Sequence, residues 1–270
     1  MNGRRTAAPS RRLCAVTDIG TKRSKNEDHF FLSDDGTLWI VADGMGGQAS
    51  GEIASALAVT AIVDAMNGMS SSDDTAGGDR VGPRLLRALA DAQRTVLEHS
   101  ADHENCHGMG SAVLVGCLAG DALHLCHAGD VRCYVLSHGI LEQVTRDHSW
   151  VAQLVSSGLM SAEQARFHAG RGRLVQAVGL QQGFNPTLTC RTLLTNDRVL
   201  VCSDGLWETL GHQEVAALLM SDASVQQIAT ALTDQANNRS GSDNVTVVVA
   251  STRNRLNKRR RAPLSPCPCP

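Results

Sequence analysis

Residues 39–44 read WIVADG, an apolar run that ends on an aspartate and a glycine. A short apolar run closed by a turn-favouring pair predicts a buried strand with Asp43 at its end. The pattern recurs outward along the chain in HLCHAGD (124–130) and VLVCSDG (199–205) and, with the acid ahead of the run, in SDNVTVVV (242–249). Asp130, Asp204 and Asp243 are thereby placed at strand ends as well. Asp-Gly on its own is an ordinary turn, so the weight lies in the set. Carboxylates gathered at strand ends make a site for hard divalent cations, which take oxygen ligands, provided the fold brings those ends together. A further acidic pair, Glu27-Asp28, follows Arg23 in RSKNED, which sets a cation suited to phosphate beside the proposed metals.

β-rich apolar runs at 13–19, 30–32, 38–42, 111–118, 122–127, 132–136, 188–193, 199–202 and 245–250 predict about nine or ten strands. Helical spacing marks 51–66, with Ile53, Leu57, Ala61 and Ile62 on one face, and 84–99, with Leu85, Leu86, Leu89, Val96 and Leu97 on one face. Shorter helices fit 150–156, 161–168, 212–220 and 224–237. Strands come in blocks separated by helix pairs, which excludes the regular alternation of a parallel sheet. The pattern predicts an α+β fold of two antiparallel sheets with helices outside. A polar Gly/Ser stretch at 67–82 joins the two long helices, and a polar helical insertion at about 147–173 is placed to act as a flap.

An apolar fraction of 42% supports a substantial core. The net charge of −2 hides an asymmetry: ten basic residues lie in two tails, Arg4, Arg5, Arg11 and Arg12 at 1–12 and six more at 253–270. Between the tails, 15 basic residues face 27 acidic ones, a body at −12, which suits cation binding and argues against a nucleic-acid-binding core. The tails themselves read as disordered. Nine cysteines, five of them within apolar strand-like runs, indicate free thiols and a reducing compartment. With no long uninterrupted apolar run, a cytoplasmic protein that does not enter membranes is expected.

Seven pieces, in order, resemble the metal-dependent protein phosphatases of the protein phosphatase 2C family: RSKNED (23–28), VADGMGG (41–47), GDVR (129–132), TRDHS (145–149), LVQAVG (174–179), CSDGLWE (202–208) and SDNVTVVV (242–249). The match covers about residues 13–250, so the resemblance implies one catalytic domain at 13–252 folded as a four-layer αββα sandwich. It also implies a centre of two Mn²⁺ or Mg²⁺ ions between the sheets. Carried over by motif, Asp43 would bridge the ions, and Asp204 and Asp243 would bind one of them. The Gly44 carbonyl and Glu27, through water, would hold the other, with Asp28 acting through water. Bacterial members often hold a third, looser ion, for which Asp130 and Asp204 match. Arg23 would grip the substrate phosphate.

The implied reaction is hydrolysis of phosphoserine and phosphothreonine by a metal-activated water without a phosphoenzyme. Catalytic weight then falls on Arg23, Asp43 and Asp204. Met45 stands where eukaryotic members carry a histidine, which excludes that residue as proton donor to the leaving group; bacterial members share the methionine. Val131 in GDVR and Ser111 in GMGSA are smaller departures. His148 reads as structural, at a helix start. A bacterial Ser/Thr kinase is the expected opponent, since MGSAV and TRDHSWVAQLV resemble stand-alone members that accompany type VI secretion kinases, and a monomer is expected. The competing reading is a non-catalytic or regulatory phosphoprotein-binding module on the same fold.

Overall fold

The computed structural model describes residues 4–10, 12–46, 50–68, 80–181 and 183–252, whose strands pair antiparallel throughout. One sheet has the order β1 (Arg5–Ser10), β2 (Leu13–Asp18), β11 (Val245–Ser251), β10 (Arg198–Cys202), β7 (Arg132–Ser137), β8 (Ile140–Gln143). The other runs β3 (Asp28–Leu32), β4 (Leu38–Met45), β5 (Gly110–Ala119), β6 (Ala122–Ala128), β9 (Thr187–Thr192). Helices α1 (Ser50–Gly68) and α2 (Val81–Asp102) pack on the five-stranded sheet. Against the six-stranded one lie α6 (His212–Met220) and α7 (Val225–Arg239). The insertion between β8 and β9 carries α3 (Trp150–Ser156) and α4 (Ala162–Phe167), and a single turn, α5 (Asp204–Trp207), follows β10.

Period-two alternation explains why the strands read as continuous apolar runs. On β4, Leu38, Ile40 and Ala42 pack under α1 and α2, while Trp39 and Val41 enter the layer between the sheets. On β10, Leu200 and Cys202 face α6 and α7, while Val199 and Val201 face the opposite sheet. Both faces are buried, so both parities are apolar. Each fully buried Leu or Val of this kind contributes about 1.5–3 kcal/mol of transfer free energy. The result is the expected αββα sandwich with three apolar layers. The described cysteines are free thiols, and burial pushes that of Cys126 up to about 12.

Several expectations need correction. Residues 4–10, read as part of a disordered tail over 1–12, add the edge strand β1 to β2, and Arg4 bridges Asp18 at 2.9 Å and Asp234 at 2.7 Å. RTAAPS carries no alternating apolar pattern, so only pairing reveals it. The short β8 and the turn α5 also escaped the periodicity reading. Asp43 is not at a strand end, because β4 continues through Gly44 and Met45, paired with Ser111 and Gly110. Gly44 is required there by close approach rather than by a turn, since a Cβ would collide with the carbonyl oxygens of Gly51 and Glu27. The tail at 253–270 and most of the loop at 67–82 lie outside the described residues.

Candidate metal centre

Along the layer between the sheets, apolar side chains give way to polar ones toward one end. The positions that carry Leu13 and Ala15 on β2, and Val248 on β11, carry Thr17 and Thr246 at that end, whose hydroxyls meet at 2.6 Å. Across the layer, Asp28 and Asp43 are direct cross-strand partners, on the same face as Phe30 and Val41. Antiparallel order brings the remaining acids to the same end. Asp130 follows β6, Asp204 follows β10 as the first residue of α5, and Asp243 precedes β11. At Gly129, just before Asp130, φ is +119° and a Cβ would overlap Ala112, so only glycine makes this corner.

Hydrogen bonds fix the loops that carry these acids. Asn244 accepts from the Glu27 amide at 2.8 Å and donates to the carbonyls of Ile19 and Lys25, both at 2.9 Å. Ser203 donates to Asp28 Oδ2 at 2.8 Å and accepts from the Thr246 amide at 2.9 Å. Ser111 donates to the Asp43 carbonyl at 2.9 Å, which gives this family departure a structural place, whereas Val131 packs in the core between the sheets. Glu27 sits apart from the deepest carboxylates, its carboxyl against Gly51 at the start of α1. The Gly44 amide donates to the Glu27 carbonyl at 3.1 Å.

The electrostatics are those of crowded like charges. Burial raises the Asp28 pKa to about 6, with the Asp243 charge adding to it and hydrogen bonds from Thr246 and Ser203 opposing it. Asp43 is pushed well above the carboxylate range by burial and then by the charges of Asp28, Asp204, Asp130 and Asp243. Asp204 is raised likewise, by burial and then by Asp130, Asp243 and Asp28. Burial, then Asp147, takes Asp130 to about 7 against the opposing pull of Arg132. Protein packs round Asp43 and Asp204 on most sides, yet both retain some accessible surface, so the cluster can be reached from solvent. Arg23 contacts one member, Asp243, at 2.6 Å.

An all-oxygen donor set whose charges repel one another fits hard divalent cations, which would neutralise what burial now penalises. Among the described residues, no three His, Cys, Asp or Glu side chains close round one point tightly enough to hold an ion by themselves. Asp243 is turned onto Arg23 at 2.6 Å.

A family model described as Protein phosphatase 2C matches residues 21–244. The chain belongs to the protein phosphatase 2C family. The serine/threonine protein phosphatase PstP of Mycobacterium tuberculosis is 35% identical over 239 residues, which make up 88% of this chain and 44% of the relative; the chain thus spans less than half of that protein's length. A crystal structure of the catalytic domain of PstP in complex with two manganese ions matches with a TM-score of 0.76 at 32% identity, over 93% of this chain and 99% of that one. PppA, described as a key regulatory component of T6SS in Pseudomonas aeruginosa, matches with a TM-score of 0.74 at 28% identity, over 92% and 97% of the two chains.

In this protein phosphatase 2C chain the base of the 147–173 insertion is tied to the cluster through Arg132. Its guanidinium grips Asp147 at 2.7 and 3.0 Å, donates to the Tyr134 hydroxyl at 3.2 Å and lies 3.5 Å from the centre of the Trp207 ring. Trp207 in turn donates to the Asp130 carbonyl at 3.1 Å. Arg132→Ala strands the largely buried Asp147 carboxylate. It is expected to cost about 3–5 kcal/mol in denaturant unfolding, and an unchanged midpoint would remove the network as a stabilising element. His148 accepts from the Gly129 amide at 3.3 Å, pairs with the Thr187 hydroxyl at 2.9 Å and stacks on His127. Burial, then the neighbouring His127, lowers its pKa to about 4, so it is uncharged and a poor acid at neutral pH. The sequence reading gave no role to Asn244 or Ser203. Their signal was adjacency to Asp243 and Asp204 within SDN and CSD.

Proposed function

We propose that this chain is a metal-dependent protein serine/threonine phosphatase, which hydrolyses phosphoserine and phosphothreonine by direct attack of water and forms no phosphoenzyme. The observation that carries the reading is the set of five mutually repelling aspartates at one end of the sandwich, beside Arg23. Asp43, whose charge meets the other four, would bridge two Mn²⁺ or Mg²⁺ ions. Asp204 and Asp243 would hold one ion, and the Gly44 carbonyl and Glu27, through water, the other. Asp130 with Asp204 would hold a third, looser ion, and Asp28 would act through water. Bound there, the ions would supply the Lewis acidity that makes water a nucleophile at neutral pH.

The chain's own residues do the rest. With Asp243 held by an ion, Arg23 would be free to bind two phosphoryl oxygens with its planar five-donor fork and offset their growing charge. Met45 has no proton to give the departing alkoxide, and His148 is held uncharged, which leaves water or another group as the donor. Met45→His would introduce a group of ordinary pKa about 6.5 at the end of β4. A new ionisation near that value is expected in the pH dependence of kcat, and an identical profile would place proton donation elsewhere.

The proposed substrates are phosphoproteins made by a Ser/Thr kinase. The likeness to PppA, with MGSAV and TRDHSWVAQLV, supports a place opposite such a kinase in a T6SS. The test is hydrolysis of a phosphothreonine peptide by the purified chain with Mn²⁺, with Mg²⁺ and with EDTA. Turnover only with metal is expected. No turnover with either metal would transfer the cluster to a non-catalytic binding module.

A further inference from the structure

A cavity of about 840 Å³ lies outside the carboxylate cluster, between the 147–173 insertion and the α5–α6 segment. Its floor is apolar, from Val151, Val155, Leu206, Leu210 and Val215. Four arginines and two acids line it. Arg132 is paired with Asp147 and Arg171 with Glu208 at 2.9 Å, which leaves Arg146 and Arg166 exposed and, among the described residues, without a carboxylate partner. On a chain whose residues 13–252 carry a net charge of −12, this cavity has a net positive lining. Its outer wall is α4, which buries none of its residues and leaves Phe167 78% exposed.

The cavity adjoins the site along the chain. Asp204 opens α5, and Leu206, Trp207 and Glu208 of the same turn and its end line the cavity wall. One helical turn rises about 5 Å, which an extended peptide covers in about two residues.

We propose that this cavity is a docking groove for the segment of a phosphoprotein substrate that flanks the phosphorylated residue, and that it selects an acidic flank. An apolar side chain of that segment rests on the Val151–Leu206 floor, and carboxylates about two to four positions from the phosphoresidue meet Arg146 and Arg166. The proposal rests on the phosphatase reading above and names the substrate class that the site prefers. An acidic flank would be repelled by the rest of the body, so the positive lining determines where it can lie.

The test compares three substrates: p-nitrophenyl phosphate, a phosphothreonine peptide with glutamates flanking an apolar residue, and the same peptide with glutamines. Each is assayed with the full chain and with Arg146→Glu/Arg166→Glu. For the acidic peptide, the double variant is expected to raise KM about tenfold at low salt with kcat unchanged. That difference should shrink at high salt. The glutamine peptide and p-nitrophenyl phosphate should be unaffected, which also shows that the variant is folded. Equal KM for the two peptides in the unmodified chain, or an unmoved KM in the variant, overturns the groove. So does sedimentation that shows a dimer dissociated by the double variant, since the occupant would then be a second copy. A chain that fails on p-nitrophenyl phosphate with any metal overturns the phosphatase reading, and with it the groove built on that reading.

Discussion

Asp43→Ala is expected to lower turnover a thousandfold or more while leaving the metal-free fold at least as stable as the unmodified chain. The loss follows from position: Asp43 is the acid whose charge meets Asp28, Asp130, Asp204 and Asp243 together, so its removal would withdraw a ligand from the centre of the proposed ion pair. Lewis-acid stabilisation of a phosphoryl transition state is worth several kcal/mol, and each ~1.4 kcal/mol is tenfold in rate. The gain in stability has the same origin, because a carboxylate buried among like charges raises the free energy of the metal-free fold. Asp204→Ala should behave similarly. Turnover assays with excess Mn²⁺ and denaturant unfolding in EDTA check the two halves separately. Unchanged rates in either variant would remove the metal model, and a metal-free Asp43→Ala chain that unfolds more readily would assign Asp43 a structural role.

The second large effect is on stability against pH. Asp28 is raised to about 6 and Asp130 to about 7, from an unfolded value near 3.8, so across that interval the folded chain binds more protons than the unfolded one. Stability therefore falls as pH rises from about 4 through about 7. A shift of about two units at Asp28 alone corresponds to roughly 3 kcal/mol. In EDTA the chain should be markedly less stable at pH 7.5 than at pH 5, and saturating Mn²⁺ should restore the loss at the higher pH by mass action. Calorimetry in both conditions measures it. A melting temperature independent of both pH and Mn²⁺ would mean that the acids do not crowd one another in solution.

What the sequence made legible was whatever rests on local periodicity. Strands buried on both faces read as apolar runs, the helices at 150–156 and 212–220 appeared with their observed bounds, and the acids beside β6, β10 and β11 stood out as breaks in those runs. Features that depend on a distant partner did not appear. The edge strand β1 exists because β2 has an open side, and β8 because β7 does. Gly44 resembled a turn glycine, while its real constraint is the carbonyl of Gly51 on a helix that has not yet begun at that point of the chain. Asn244 and Ser203 lay inside motifs already singled out, but their function is to tie separate loops together, which only assembled geometry discloses. The pairing of Arg23 with Asp243, 220 residues apart, belongs to the same class.

The most direct test of the central claim is to count bound Mn²⁺ at equilibrium, by calorimetry with parallel electron paramagnetic resonance, for the full chain and for Asp43→Asn. Two tightly bound ions are expected in the unmodified chain, apart from any looser third one, and magnetically coupled through the shared carboxylate, with the coupling lost in the variant. A chain that binds no Mn²⁺, or one whose stoichiometry and coupling are untouched by Asp43→Asn, would contradict it.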